Sequence, residues 1–320
     1  MDGERPEVWV LREDELVRLV AALVEGPATV TVVHGLRTRA AQAWVTGGLP
    51  RFGAAVVELG LRPGDLHGFG ESTPLVGLIG RLGRWRSIEV AAEQAGVLTQ
   101  LLQQRGHRLW AEIDLIHVPS TPPPTLAHPL VRLLDDDDLS AVERTPELFP
   151  DYQLPFVRAA VRDQRVAGAT AGGKLVGYAA SLAAGESYAD LGVHVLAPWR
   201  GRGIATAAAS LVAAVLGSRG LVAVWSTSED NLAARRVADK LGLAEVARRV
   251  ILHHGEQQPG RLRLPPKAAP AEGRPEGAAA STNQPREATR PDRQGCGACQ
   301  RSSTRRRRVP SPSPTVAGAA

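Results

Sequence analysis

Cysteine is almost missing from this chain: there are two, Cys296 and Cys299, both near the C-terminus. Everything before them has no thiol for a disulfide, a thiolate metal site or a cysteine nucleophile. The Cys296-Gly-Ala-Cys299 pair has metal or redox spacing without a second pair or a histidine partner, so it carries little weight. Long apolar runs are missing too, and no stretch reaches the 18 apolar residues that a membrane-spanning helix needs. The start, Met1-Asp-Gly-Glu-Arg-Pro-Glu7, is acidic and has no signal-peptide apolar core. These absences predict a cytoplasmic chain with no membrane partner. His34, His67, His107 and His117 are scattered without metal spacing, so they read as packing or surface residues and no metal is expected.

Apolar residues are plentiful, 43% of 320, which is enough for two cores. The net charge of +5 is unevenly spread. Residues 256–320 hold 12 Lys/Arg against 5 Asp/Glu, or +7, leaving the first 255 with 26 against 28, or −2. That basic segment is rich in Pro, Gly, Arg, Ser and Ala, with Arg305 to Arg308 as a block, and cannot bury enough apolar surface to fold. Its arginines suit nucleic acid or anionic lipid, but a disordered, solvated tail is the favoured reading and nucleic acid is not an expected partner. Thr121-Pro-Pro-Pro-Thr125 continues neither a strand nor a helix. The expected organisation is an N-terminal α/β domain over 1–120, a Pro-rich linker over 121–128, a second α/β domain over 129–255 and the tail over 256–320.

In the first domain, Glu13 to Val24 patterns as an amphipathic helix and Ala28 to Val33 as a strand. Ile88 to Arg105 has helical spacing, and Arg108 to Val118 alternates like a strand. In the second, Pro129 to Leu134 reads as a short strand, followed by an acidic, solvated helix start at Asp135 to Asp138. Tyr152 to Arg162 is an amphipathic helix. Arg165 to Ala171 and Lys174 to Ala183 are strands about a Gly172-Gly173 turn. Tyr188 to Leu196 is a mostly apolar central strand and Gly203 to Gly217 an Ala-rich helix. Leu221 to Thr227 is a buried strand, and Asn231 caps a helix that stops at Gly242.

The most telling stretch is Val195-Leu-Ala-Pro-Trp-Arg200-Gly-Arg-Gly203-Ile-Ala205, a strand end, a polar loop and a helix start. Arg200, Gly203 and Ala205 fit the spacing Arg/Gln-x-x-Gly-x-Gly/Ala. Such a loop leaves backbone N–H groups unpaired at the positive end of a helix dipole, an anion site that glycines let a diphosphate approach closely. A dinucleotide-binding G-x-G-x-x-G and a G-K-[ST] phosphate loop are both absent. Together with Asn231-x-x-Ala234 and Lys240-Leu-Gly-Leu243, the loop resembles the GCN5-related N-acetyltransferase (GNAT) family over about Pro129 to Leu252. The resemblance implies a GNAT-like mixed sheet flanked by helices, preceded by a second, smaller α/β domain. That first domain has no such loop; it reads equally as a degenerate copy of the second or as a cap over the substrate cleft.

The resemblance further implies acetyl-CoA as co-substrate, acyl transfer to a small-molecule or peptide amine, and a set of cofactor residues. Val193, His194 and Val195 would lie along the pantetheine arm. Arg200, Gly201, Arg202, Gly203, Ile204, Ala205 and Thr206 would cradle the pyrophosphate, and Asn231 would stand beside the cofactor. The family's tyrosine position is Ala238 here, a departure that leaves Tyr188, Tyr178 or water to protonate the leaving thiolate. A base for the amine is sought at Glu186 first, in the turn before the central strand, and at Asp190 second, within it. Continuous alternation would put Asp190 and His194 on one face, opposite Val193 and Val195. Other readings of the chain are a catalytically degenerate acyl-CoA-binding regulatory module and a nucleic-acid-associated protein acting through its tail. Nothing in the sequence sets an oligomeric state.

Overall fold

The computed structural model of the protein describes residues 9–255, all within the compact unit Met1–Ala268. The segment 256–320, with Cys296, Cys299 and Arg305 to Arg308, lies outside the described residues. Among the described residues no helix is long and apolar enough to cross a membrane, and no group of three His, Cys, Asp or Glu is placed to hold a metal ion.

One succession of elements occurs twice. The first run is β1 (Trp9–Val10), α1 (Glu13–Leu23), α2 (Val30–Arg37), β2 (Ala41–Gly47), β3 (Phe52–Leu59), β4 (Asp65–Gly70), α3 (Ser72–Leu82), β5 (Ser87–Ala91), α4 (Ala92–Gln104) and β6 (Leu109–Pro119). The second is β7 (Val131–Leu133), α5 (Leu139–Glu143), α6 (Leu154–Arg162), β8 (Val166–Ala171), β9 (Lys174–Ala180), the split pair β10 (Tyr188–Asp190) and β11 (Gly192–Val195), α7 (Ile204–Ser218), β12 (Val222–Ser228), α8 (Leu232–Lys240) and β13 (Leu243–His254). Residues 121–128 between the runs carry neither helix nor strand.

The strands form a nine-stranded sheet, ordered β1-β2-β3-β4-β5-β13-β6-β12-β10, and a four-stranded sheet, β11-β9-β8-β7. The last strand of each run inserts between the last two of the other: β13 between β5 and β6, and β6 between β13 and β12. β6 and β13 run antiparallel from Leu243↔Pro119 to His254↔Leu109. Ile88, Val90, Val250, Leu252 and Ala111, from three of these adjacent strands, share one buried cluster. Each half therefore closes its own sheet with a strand borrowed from the other.

α7 packs against strands of both sheets, touching β7, β8, β9, β11 and β12. Its small residues make that possible: Ala207, Ala208, Ala209, Ser210 and Ala213 are buried alongside Ile204, Val212 and Leu216. Short side chains let the helix lie close across the place where the sheets part.

Four expectations need correction. Ala28 to Val33 is no strand: α2 begins at Val30, after Thr29 Oγ accepts the Gly26 N–H (2.9 Å) and donates to Val24 C=O (2.8 Å). Short apolar runs fit a strand or a buried helix equally, and here Val32 and Leu36 pack with α1, β2 and β3 while Val30 packs with Ile116 and Val224. Ile88 to Arg105 is not all helix, because Ile88 and Val90 pair with Leu252 and Val250 of β13. Tyr188 to Leu196 is not one strand. Asp190 and the residues before it pair with β12 in the larger sheet, while Gly192 onward pairs with β9 in the smaller one. The acidic run is not wholly solvated either: Asp138 is buried, with both carboxylate oxygens 2.6 Å from the Arg132 guanidinium.

Candidate active site

The parting of the sheets at Leu191 makes the site. Leu191 N–H still reaches Val224 C=O in β12 (2.8 Å), and Leu196 N–H already reaches Val176 C=O in β9 (3.0 Å). Along β11, alternation then turns the backbone groups of His194 and Gly192 toward β9 and those of Val193 and Val195 into the gap. Val195 C=O accepts from Arg200 Nε there at 3.0 Å. The strand edge facing the gap thus offers N–H groups with no strand to take them.

Beyond β11 a short turn, Ala197–Trp199, leads to the loop that starts α7. Gly201 and Gly203 both have positive φ, +76° and +86°, which a side chain would strain. The first helical bond runs from Ala207 N–H to Gly203 C=O at 3.0 Å. The N–H groups of Ile204, Ala205 and Thr206 precede it, so they point out of the positive end of the dipole. A cleft of about 550 Å³ opens over these donors. Val193, His194, Val195, Arg200, Gly201, Gly203, Ile204, Ala205, Thr206 and Asn231 all line it.

Two residues of the set expected from the sequence have other engagements. The Arg202 guanidinium lies over the Trp199 ring, 4.8 Å from its centroid, and is not among the lining residues. Asn231 Oδ1 accepts the Ala234 N–H at 3.1 Å, the cap of α8. Sequence reasoning missed the opposite wall. Ala233, Arg236, Val237 and Lys240 line the cleft from α8, and their spacing of three and four is the signal that marked one helical face. With Arg200 they give the cleft three cations.

The two carboxylates sought as a base are placed differently, and neither is among the residues that line the cleft. Asp190, just before the parting, accepts the Ala183 N–H at 2.6 Å and lies 3.5 Å from Ser181 Oγ. Burial pushes its pKa up to about 6, against the opposing pull of the Ala183 hydrogen bond and the nearby Arg165 and Arg62. Glu186 stands outside the cleft lining, exposed, with its carboxylate 2.9 Å from Arg37 of α2. Its backbone N–H and those of Ser187 and Tyr188 converge on the Glu25 carboxylate, at 2.9, 2.8 and 3.2 Å. Glu25, from the first half, so fixes the turn that delivers β10.

Burial lowers the pKa of His194, with Arg200 adding to the effect, which favours the neutral ring. Ala238 is packed in a core with Trp225, Leu241 and Leu243. Tyr188 packs on Val30, Ile116 and Val224. Tyr178 stacks on Phe149 with centroids 3.9 Å apart and lies 6.4 Å from the His194 ring. Burial pushes its hydroxyl up to about 12, so it stays protonated.

Residues 130–243 match the model of the acetyltransferase (GNAT) family. Solved structures share the fold at low identity. An acetyltransferase from the GNAT family from Colwellia psychrerythraea has a TM-score of 0.54 at 16% identity, covering 78% of this chain and all of its own. A GCN5-related N-acetyltransferase from Sphaerobacter thermophilus has 0.54 at 19%, covering 78% and 96%. A tandem GNAT protein from the clavulanic acid biosynthesis pathway has 0.51 at 16%, covering 79% and 100%. These coverages exceed the length of 130–243 about twofold, so the shared fold takes in the first half as well. No curated protein matches the sequence.

Proposed function

Because residues 130–243 carry a domain of the GNAT acetyltransferase family, we propose that this protein is an acyl-CoA-dependent N-acyltransferase, moving acetyl from acetyl-CoA to a primary amine by direct transfer. One observation carries the reading: the parted strands leave free N–H groups on β11 beside the open N-terminus of α7, in one cleft. The residues fit the co-substrate. Ile204 to Thr206 offer donors to a pyrophosphate, and Arg200, Arg236 and Lys240 offer charge to phosphates. The β11 edge offers an amide-pairing rail to a pantetheine arm. Acetyl-CoA supplies the thioester.

The protein's own share follows from what acylation of an amine requires. An ammonium has no lone pair, so the acceptor must lose a proton before its nitrogen attacks the thioester carbon. Asp190 is the group we assign to take it, ionised above about pH 6 and set where β10 and β11 part. Glu186, exposed and tied to Arg37, ranks behind it. The oxyanion formed by the attack finds the Val195 N–H facing the gap. When the C–S bond breaks, the thiolate, with a free pKa of about 8.5, leaves without a placed acid, as the burial of Ala238 demands.

The first half reads as a degenerate copy. Its β4 is one unbroken strand, paired with β3 over Leu66 to Gly70 and with β5 over Asp65 to His67. At the start of α3 the cap is Glu71, whose charge would repel a phosphate. A Cβ at the preceding Gly70 would collide with Gly53 C=O, and Gln94 donates to the Gly70 carbonyl. The supported reading is one cofactor cleft per chain, in the second half.

Gly203→Asp tests the assignment. It strains a positive φ and puts a carboxylate where the pyrophosphate would lie. Calorimetry should show CoA affinity lost while the apo melt survives, and undiminished CoA binding in the folded variant would refute the cleft. Release of thiol from acetyl-CoA across an amine panel separates the transferase from a CoA-binding module that turns nothing over.

A further inference from the structure

The linker between the halves is fastened to α7, the helix whose open end faces the cleft. Leu126 N–H donates to Ser210 Oγ at 3.0 Å, and Ser210 is fully buried, with its hydroxyl also 2.9 Å from Ala207 C=O. Two residues on, His128 C=O accepts the Val131 N–H at 3.0 Å, where the chain enters β7. The His128 ring is fixed as well, because its Nδ1 accepts the Leu130 N–H at 3.2 Å. A segment with neither helix nor strand thus holds a half-buried histidine in one place.

That place is beside the loop that starts α7. A Cβ built on Gly203 would meet the His128 ring, with Cδ2 3.9 Å away. His128 is not itself a lining residue of the cleft, but Gly203 is. Gly203 is also the N-cap of α7, so the ring stands next to the turn that presents the Ile204, Ala205 and Thr206 N–H groups. The hydrogen bonds set the tautomer. Since Nδ1 accepts from a backbone N–H, the proton of the neutral ring is on Nε2. Nε2 is bonded to Cδ2, the ring atom that faces Gly203, and it has no hydrogen-bond partner among the described residues. A ring N–H with nothing to donate to therefore stands beside the amide donors of the loop.

We propose that His128 is a further ligand of the co-substrate, its Nε2–H donating to the CoA pyrophosphate where that group passes Gly203 on the α7 amides. This rests on the acyl-CoA reading of the cleft. A hydrogen bond to a charged oxygen is among the strong ones. The ring is already held by Leu130 and the linker by Ser210, so binding has little left to order. Arg200, Arg236 and Lys240 bring charge to the phosphates, whereas His128 brings a directed N–H at a fixed position. The linker then has a task besides joining the halves, since it carries one contact to the co-substrate.

Substitutions that divide the ring decide it. His128→Asn keeps an acceptor for Leu130 and ends short of Nε2, while His128→Gln reaches the Nε2 position with an amide N–H. Calorimetry with CoA and with 3′-dephospho-CoA is run on the full chain, wild type and both variants. His128→Asn should bind each ligand about tenfold or more weakly while the apo melt stays in place, and His128→Gln should recover part of the loss. Equal factors for the two ligands put the contact at the pyrophosphate, which both carry. The proposal is overturned if His128→Asn binds as the wild type does, or if His128→Gln is no better than His128→Asn. It is overturned too if the loss is confined to CoA, which would assign the contact to the 3′-phosphate. Should His128→Asn fail to fold, the wild type labelled with nitrogen-15 histidine gives the answer. The His128 Nε2–H signal, identified by its absence from His128→Gln, should shift when CoA is added, and a signal that stays overturns the proposal. If the wild type binds neither ligand, the cleft reading itself falls and takes this one with it.

Discussion

Asp190 is held in two opposed ways: its carboxylate takes a short hydrogen bond from Ala183, yet burial raises its pKa to about 6. A raised carboxylate pKa means the folded chain binds that proton more tightly than the unfolded one. The protonated form is favoured by folding, so stability on this account is greatest below pH 3.8 and declines as pH rises through about 6. Asp190→Asn keeps the acceptor for Ala183 and removes the charge. Its melting temperature should exceed the wild type's at pH 8 and approach it at pH 4. Turnover should move the other way. The wild-type rate should fall below about pH 6, and the variant should lose that limb together with about 10²-fold or more in rate. Glu186→Gln, which removes only an exposed ion pair with Arg37, should leave the profile in place. A normal profile in Asp190→Asn would hand acceptor deprotonation to solvent.

Asn231 poses a narrower question, since the same side chain caps α8 and lines the cleft. Losing the cap in Asn231→Ala should cost about 1 kcal/mol, read as a lower melt of the apo protein. If capping is its whole role, CoA affinity measured well below the melt should stay within about twofold of wild type. A larger loss would make it a ligand contact.

Among the elements, those whose signals are local were readable. The start of α7 was marked by Arg200, Gly203 and Ala205, and α8 by its Asn231 cap and Gly242 stop, because caps and positive-φ positions are set by neighbours in sequence. The hairpin of β8 and β9 was readable from Gly172-Gly173, whose φ values are +57° and +73°. The parting of β10 from β11 was not. Tyr188 to Leu196 alternates without a break, and the split is imposed by what each part pairs with, Val224 on one side and Ala180 on the other. α2 failed for a similar reason: Val30 to Val33 is β-branched, and only burial on two sides makes it helical. The α8 wall of the cleft shows what the local pattern did hold. Arg236 and Lys240 stand one turn apart on the cleft face. The double change Arg236→Glu with Lys240→Glu should raise KM for acetyl-CoA about tenfold or more. With acetyl-pantetheine, which lacks the nucleotide phosphates, it should change kcat/KM little. Equal loss with both donors would refute a phosphate role for this face.

At the scale of the molecule, the exchange of β6 and β13 was out of reach of any local pattern, because each strand's partners lie more than a hundred residues away. It makes the two halves one folding unit across the linker. β13 brings Val250 and Leu252 into the core of the first half, each worth about 1.5–3 kcal/mol when fully buried. It also brings Arg249, 2.6 Å from both Glu89 and Asp114. Arg249 helps hold the Glu89 carboxylate down at about 2. That contribution is present above Glu89's ordinary value near 4.5 and is lost as pH falls toward 2. Asp114, raised by burial, works against it. Without β13 the first half loses that cation and the apolar side chains of the strand, and the edges of β5 and β6 that it pairs are bared, against a total stability of about 5–15 kcal/mol for a domain. Residues 1–128 or 129–255 produced alone should therefore show no cooperative melt and no fixed aromatic circular dichroism, whereas the two produced together should co-purify and melt as one. A truncation after Gly242 should unfold the first half although it removes none of its sequence. If either half alone melts cooperatively, the shared strands are ornament on two independent domains, and the first half need not be present for the second to bind CoA.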